Sequence, residues 1–161
     1  MPVLPAPGGK LMDEMDVHTP LHFVFYFAAA PEKVWEGFVS PESNRVIFMG
    51  AELQIDLRPG GPMNFAGPGS DGKLTTYVRG EILEVEPPKL LRYTFAMGQF
   101  GKSSRVTLEL TPESEATKVV VTHDHWDPDD QLTYASCADG WPRILSRLKT
   151  LIETGKTFKP H

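Results

Sequence analysis

Cysteine is almost absent: Cys137 is the single thiol in 161 residues. One thiol makes no internal disulfide and no cysteine-based zinc site, and it points to a reducing cytoplasm. Positive charge is also scarce, with 16 Lys and Arg against 21 Asp and Glu and a net charge of −5. Nucleic acid and anionic membranes both require clustered cations, so neither is expected as a partner. No stretch approaches the roughly 20 apolar residues of a membrane span. Residues 1–10 hold Pro2, Pro5 and Pro7 but neither the basic start nor the apolar run of a secretory signal. What remains is ordinary in kind: 40% hydrophobic and 23% charged residues, enough to build one packed domain without staples.

Residues 1–16 read as a Pro- and Gly-rich flexible tail, and residues 17–157 as the domain. His22–Phe27 (HFVFYF) is expected to be a strand buried on both faces. Pro31, suited to the first helical position, and Glu32 open a short helix with Val34, Trp35 and Phe38 on one face. Ser40-Pro41-Glu42 repeats that start signal, so a second helix runs to about Phe48.

Strands follow. Ala51–Leu57 alternates, with Leu53, Ile55 and Leu57 in phase. Pro62–Ala66 is a short strand, and Gly67–Lys73 (GPGSDGK) is a hairpin loop. Leu74–Val85 reads as one long strand ended by Pro87-Pro88. Leu90–Met97, Ser104–Leu110 and Lys118–Trp126 complete the set.

The C-terminal segment has helical spacing. Asp127, Asp129 and Asp130 suit a helix start, and Gly155 a stop. Tyr134, Ala138, Trp141, Leu145, Leu148 and Ile152 form one apolar stripe, with Arg143, Arg147 and Lys149 off it. Pro142 predicts a kink, or a break near Gly140-Trp141. Strands joined by short turns pair antiparallel, and helices segregated from them define an α+β domain.

Four stretches carry a resemblance to a known family. They are Ala30-Pro31-Glu32-Lys33-Val34-Trp35; Asp56-Leu57-Arg58-Pro59-Gly60-Gly61; Gly80-Glu81-Ile82-Leu83-Glu84-Val85 with Pro87-Pro88-Lys89-Leu90; and Gly140-Trp141 with Leu145 and Leu148. Over residues 18–156 the chain resembles the START/Bet v1-like (SRPBCC) superfamily, and within it the activator of Hsp90 ATPase homologue-like (AHSA1-like) family. The resemblance implies a helix-grip fold: a curved antiparallel sheet of about six to seven strands around the long helix, with two short helices after the first strand and a cavity between sheet and helix. Activity does not follow, because this fold hosts carriers, cyclases, hydrolases and cochaperone domains. Members of the family often carry paired tryptophans after the second helix. Ile47-Phe48 stand there, so an apolar but less bulky rim is expected.

The candidate cavity residues are Trp35, Phe38, Phe48, Phe65, Tyr93, Phe95, His123, His125, Tyr134, Trp141 and Leu145. His123 and His125 alternate on the last strand, so both imidazoles are expected on one face. There they would anchor a ligand, act as a base or hold a metal. A metal wants a third ligand, from Glu81, His22 or Asp127, and the spacing demands none, so no metal or cofactor is assigned. Tyr93 and Tyr134 offer hydroxyls to orient a ligand. Arg79 and Glu81 share a phase, but Val78, Gly80 and Ile82 form the more apolar one, so the charged pair is expected at the surface. The GPGSDGK loop lacks a P-loop ending. Ser103 and Ser104 lack a nucleophile-elbow setting, and Cys137 has no basic neighbour in sequence to activate it.

Three functions compete. The first is binding of a small hydrophobic or aromatic molecule, lipid- or polyketide-like, in the cavity. The second is a cyclase or hydrolase using His123 or His125 as base; no complete constellation is visible, so no catalytic residue is assigned. The third is a cochaperone-like module acting on an Hsp90-type ATPase. A homodimer is compatible with each.

Overall fold

The computed structural model describes residues 19–48, 50–99 and 101–159, so the expected tail over residues 1–16 lies outside the described residues. Strand β1 (Leu21–Phe27) alternates and is not buried on both faces as expected. Leu21, Phe23, Phe25 and Phe27 face the core, while Val24 and Tyr26 are exposed. The reason is layering: the helices pack on the face that carries Leu21, Phe23, Phe25 and Phe27, and the face with Val24 and Tyr26 is left to solvent. Helix α1 (Pro31–Val39) starts on Pro31, as expected, and buries Val34, Trp35 and Phe38. Helix α2 (Pro41–Ile47) is capped by Ser40, whose Oγ accepts the Ser43 N–H at 3.1 Å.

Seven further strands follow: β2 (Glu52–Ile55), β3 (Met63–Pro68), β4 (Leu74–Arg79), β5 (Ile82–Glu86), β6 (Leu90–Met97), β7 (Ser104–Glu113) and β8 (Ala116–Asp124). They form one antiparallel sheet in the order β1-β8-β7-β6-β4-β3-β2, with β5 also paired to β6. β2 is shorter than expected, because the Asp56–Gly61 turn begins before Leu57 and leaves that side chain exposed.

The expected single strand Leu74–Val85 is two, β4 and β5, both lying against β6. The break is at Gly80-Glu81. Gly80 N–H donates to Asn64 Oδ1 at 3.0 Å, and Glu81 N–H donates to Thr94 Oγ1 at 2.9 Å, so side chains replace ladder partners. A Cβ on Gly80 would sit 2.3 Å from the Thr94 carbonyl oxygen, so only glycine lets the chains approach here. Such an irregularity bends a strand and aids sheet curvature. Val78 and Ile82 are buried while Arg79 and Glu81 are exposed, as their phase predicts.

Helix α3 (Gln131–Thr154) lies on the concave side. Asp130 caps it, accepting the Thr133 N–H at 3.2 Å and the Thr133 hydroxyl at 2.7 Å. Gly155 ends it in the left-handed region, φ 84°. The helix is not broken at Gly140-Trp141; it runs through Pro142. Buried side chains on both sides of the proline, Cys137 and Trp141 before it and Leu145 and Leu148 after it, anchor the helix on either side of the missing hydrogen bond.

Arg147, off the apolar stripe, is nevertheless buried, at 4% exposure. Its guanidinium donates to the carbonyls of Val46, Ile47 and Phe158. Two of these belong to the last turn of α2, whose orphan acceptors a cation suits. Lys149 and Glu153 fasten the helix to the end of β1: Lys149 Nζ donates to Tyr26 O at 2.6 Å, and Ala28 N–H donates to Glu153 Oε2 at 2.7 Å.

Candidate functional site: an apolar pocket beneath the long helix

A pocket of about 190 Å³ lies between the N-terminal half of α3 and the sheet. Phe48, which follows α2, and Phe65, Tyr93, Phe95 and Met97 from β3 and β6 line it on one side. Ser136, Cys137, Gly140, Trp141 and Ile144 line it from α3. The Phe48 and Phe65 rings, 4.7 Å apart, stand where the family resemblance raised the question of a bulkier rim. Gly140 leaves open space, since a Cβ there would meet nothing within 4 Å.

Burial keeps the polar groups of this wall neutral. The Cys137 thiol is pushed up to about 12, by burial first and the charge of Asp130 second, so it is not a nucleophile at neutral pH. The Tyr93 phenol is raised above its ordinary value, chiefly by burial.

Behind Trp141 lies a sealed polar network. His123 is fully buried on β8. Trp141 Nε1–H donates to His123 Nδ1 at 3.0 Å. An indole nitrogen only donates, so Nδ1 carries the lone pair and Nε2 carries the proton. Nε2–H therefore donates to Ser104 Oγ, 2.7 Å away, and Ser104 passes its own hydrogen to Phe95 O at 3.1 Å. The Trp126 ring stacks on the imidazole at 4.0 Å, and its Nε1–H donates to His123 O at 2.8 Å. Burial holds the imidazole far below its usual range, at about 3, despite the opposing charge of Asp124. The arrangement fastens helix to sheet and leaves no free lone pair for a base.

His125 is elsewhere. β8 ends at Asp124, so the alternation that would align His125 with His123 stops one residue short. His125 has φ 60°, is exposed, and places Nδ1 3.0 Å from Asp124 Oδ1. Among the described residues no three His, Cys, Asp or Glu side chains converge to hold a metal.

Of the expected cavity residues, Phe48, Phe65, Tyr93, Phe95 and Trp141 come together at the pocket. Trp35, Phe38, Tyr134 and Leu145 are buried in the core without lining it, and His123 is behind it. Met97, Ser136, Cys137, Gly140 and Ile144 were not among the candidates. Met97 was readable, being in phase with Tyr93 and Phe95 on β6. Cys137, Gly140 and Ile144 share a helical face with Trp141, rotated from the expected stripe. Ser104 gave no signal, because its partner His123 is 19 residues away.

A curved antiparallel sheet holding one long helix, with a pocket beneath that helix, is the helix-grip architecture of the SRPBCC class. The family model described as activator of Hsp90 ATPase homolog 1-like protein matches residues 28–153, and the chain belongs to that family. Among solved structures it is similar to protein MLL2253 from Mesorhizobium loti, at 25% identity and TM-score 0.69, covering 84% of this chain and 97% of that one. It is similar to CalU16 from Micromonospora echinospora, at 25% identity and TM-score 0.65, covering 84% and 77%. It shares its fold with PFC0360w, an HSP90 activator from Plasmodium falciparum, at 18% identity and TM-score 0.69, covering 83% and 96%. No curated protein matches it. No described helix is long and apolar enough to cross a membrane.

Proposed function

We propose that this protein binds a compact, apolar or aromatic small molecule between its sheet and the N-terminal half of α3. The observation that carries this reading is the pocket, walled by five aromatic rings, Met97 and Ile144 around open space at Gly140. Apolar walls with few polar groups suit small-molecule recognition. At about 190 Å³ the space fits a one- or two-ring molecule, since an apolar cavity of roughly 150 Å³ holds benzene. A sterol or a long acyl chain exceeds it, which narrows the lipid- or polyketide-like expectation to its small, ring-shaped end. A thermal-shift screen with naphthalene-sized aromatics tests the proposal. A ligand at a hundred times its Kd adds about 2.7 kcal/mol, a rise of roughly 5–10 °C at this chain length. No rise with any such compound would remove the reading.

A cyclase or hydrolase with a histidine base is disfavoured. The His123 lone pair is engaged by Trp141, and His125 does not line the pocket. The cochaperone reading rests on the family's description alone. The lone buried thiol, Cys137, fits a reducing compartment such as the cytoplasm.

A further inference from the structure

The pocket is apolar but contains one strong hydrogen-bond donor in need of a partner. Tyr93 is 3% exposed, lines the pocket and makes no side-chain hydrogen bond among the described residues. Among the described residues no buried side-chain oxygen or nitrogen is both sealed and unpaired. The Tyr93 hydroxyl is therefore open to space, and that space is the pocket it lines. The other polar groups do not compete with it. Trp141 Nε1–H is committed to His123. Cys137 offers a neutral thiol, a weak donor. Ser136 is exposed at the rim. Among the described residues, none of the ten that line the pocket is charged or a histidine.

This pattern constrains the ligand. A carboxylate entering the pocket would lose water with no cation to meet it, a large cost. A hydrocarbon would leave the Tyr93 hydroxyl dry and unpaired, which also costs. A phenol would pair with Tyr93 but leave one of the two hydroxyl hydrogens unmet. A carbonyl oxygen closes the account: one donor, one acceptor and no hydrogen left over.

Resting on the pocket reading above, we propose that the ligand is an uncharged one- or two-ring aromatic ketone whose single carbonyl oxygen accepts a hydrogen bond from Tyr93. Three probes of one shape separate the cases: acetonaphthone, ethylnaphthalene and naphthoate. In the intact protein, acetonaphthone binds and naphthoate does not. Tyr93→Phe weakens acetonaphthone roughly five-fold, the net worth of one hydrogen bond, and leaves ethylnaphthalene unchanged or tighter. The infrared carbonyl stretch of bound acetonaphthone lies below its value in an alkane and returns toward it in Tyr93→Phe. An equal change for both neutral probes, tighter binding of naphthoate, or an unshifted stretch overturns the proposal while the pocket reading stands. If neither neutral probe binds, the pocket reading falls and takes this one with it. Should Tyr93→Phe fail to fold, the stretch in the unaltered protein decides.

Discussion

The two halves of helix α3 differ in how they meet the rest of the molecule. The C-terminal half is pressed against α1: a Cβ on Gly37 would sit 2.8 Å from Ile152 Cδ1 and 2.9 Å from Leu148 Cδ1. Leu145 and Leu148 have no exposed surface there, nor do Phe27 and Val34. In the N-terminal half, a Cβ on Gly140 would meet nothing, and the helix faces the pocket. Both halves carry apolar residues at helical spacing. The difference comes from their partners. One half has α1 and β1 brought close by a glycine; the other faces β3 and β6 beside the irregularity at Gly80. One half is built for stability and the other leaves room.

The largest test of this contrast is Leu148→Ala. Truncation in the packed half costs about 2–5 kcal/mol in denaturant-derived stability, with aromatic-probe affinity unchanged under folding conditions. Equal loss of affinity would show that the halves are not separable. Next comes the seam between them, His123. Its folded-state pKa is about 3, below the ordinary 6.5, so the unfolded chain takes up the proton first as pH falls. The contribution is complete above about pH 6.5 and drains by about 1.4 kcal/mol per pH unit toward pH 3. His123→Gln, which keeps an acceptor and a donor, removes this slope. Urea melts at several pH values read it as the difference between the two proteins, which cancels the carboxylates they share.

A smaller effect is expected at Gly140→Ala in the open half. The methyl enters free space and helix propensity improves, so stability rises by about 0.8–1 kcal/mol while probe affinity falls. A loss of stability would mean that the space is not open. The smallest is Ile144→Val, below about 0.5 kcal/mol in stability, because Ile144 is only half-buried. Its effect is to be sought in probe affinity by titration.

Several features of this contrast were legible in the chain, and several were not. Alternation on β6 aligned Tyr93, Phe95 and Met97, and Asp130 and Gly155 marked the ends of α3. Short-range rules suffice where neighbours in sequence are neighbours in space. They failed at His125, since the strand stops at Asp124 and phase no longer applies. They were silent on the burial of Arg147, whose partners Val46 and Ile47 lie 101 and 100 residues away. At Pro142 they left a kink or a break open, and the break does not occur, because side chains are buried on both sides of the proline. At Gly80, the glycine was visible but the carbonyl of Thr94 that makes it necessary was not.

The sequence by itself determined most of the elements, the α+β order, the apolar face of α3 and the resemblance to the family, because periodicity, caps and turn residues act within a few positions; the division of β4 from β5 needed the fold. The tertiary structure alone decided which part of α3 is packed and which is open, and where His123 and Tyr93 direct their polar atoms. Burial and hydrogen-bond pairing depend on surfaces from distant parts of the chain. Cys137, with which the sequence reading began, shows the division. Its solitude excluded disulfides at once, whereas its place in the wall of a pocket, its thiol buried and neutral, required the folded molecule.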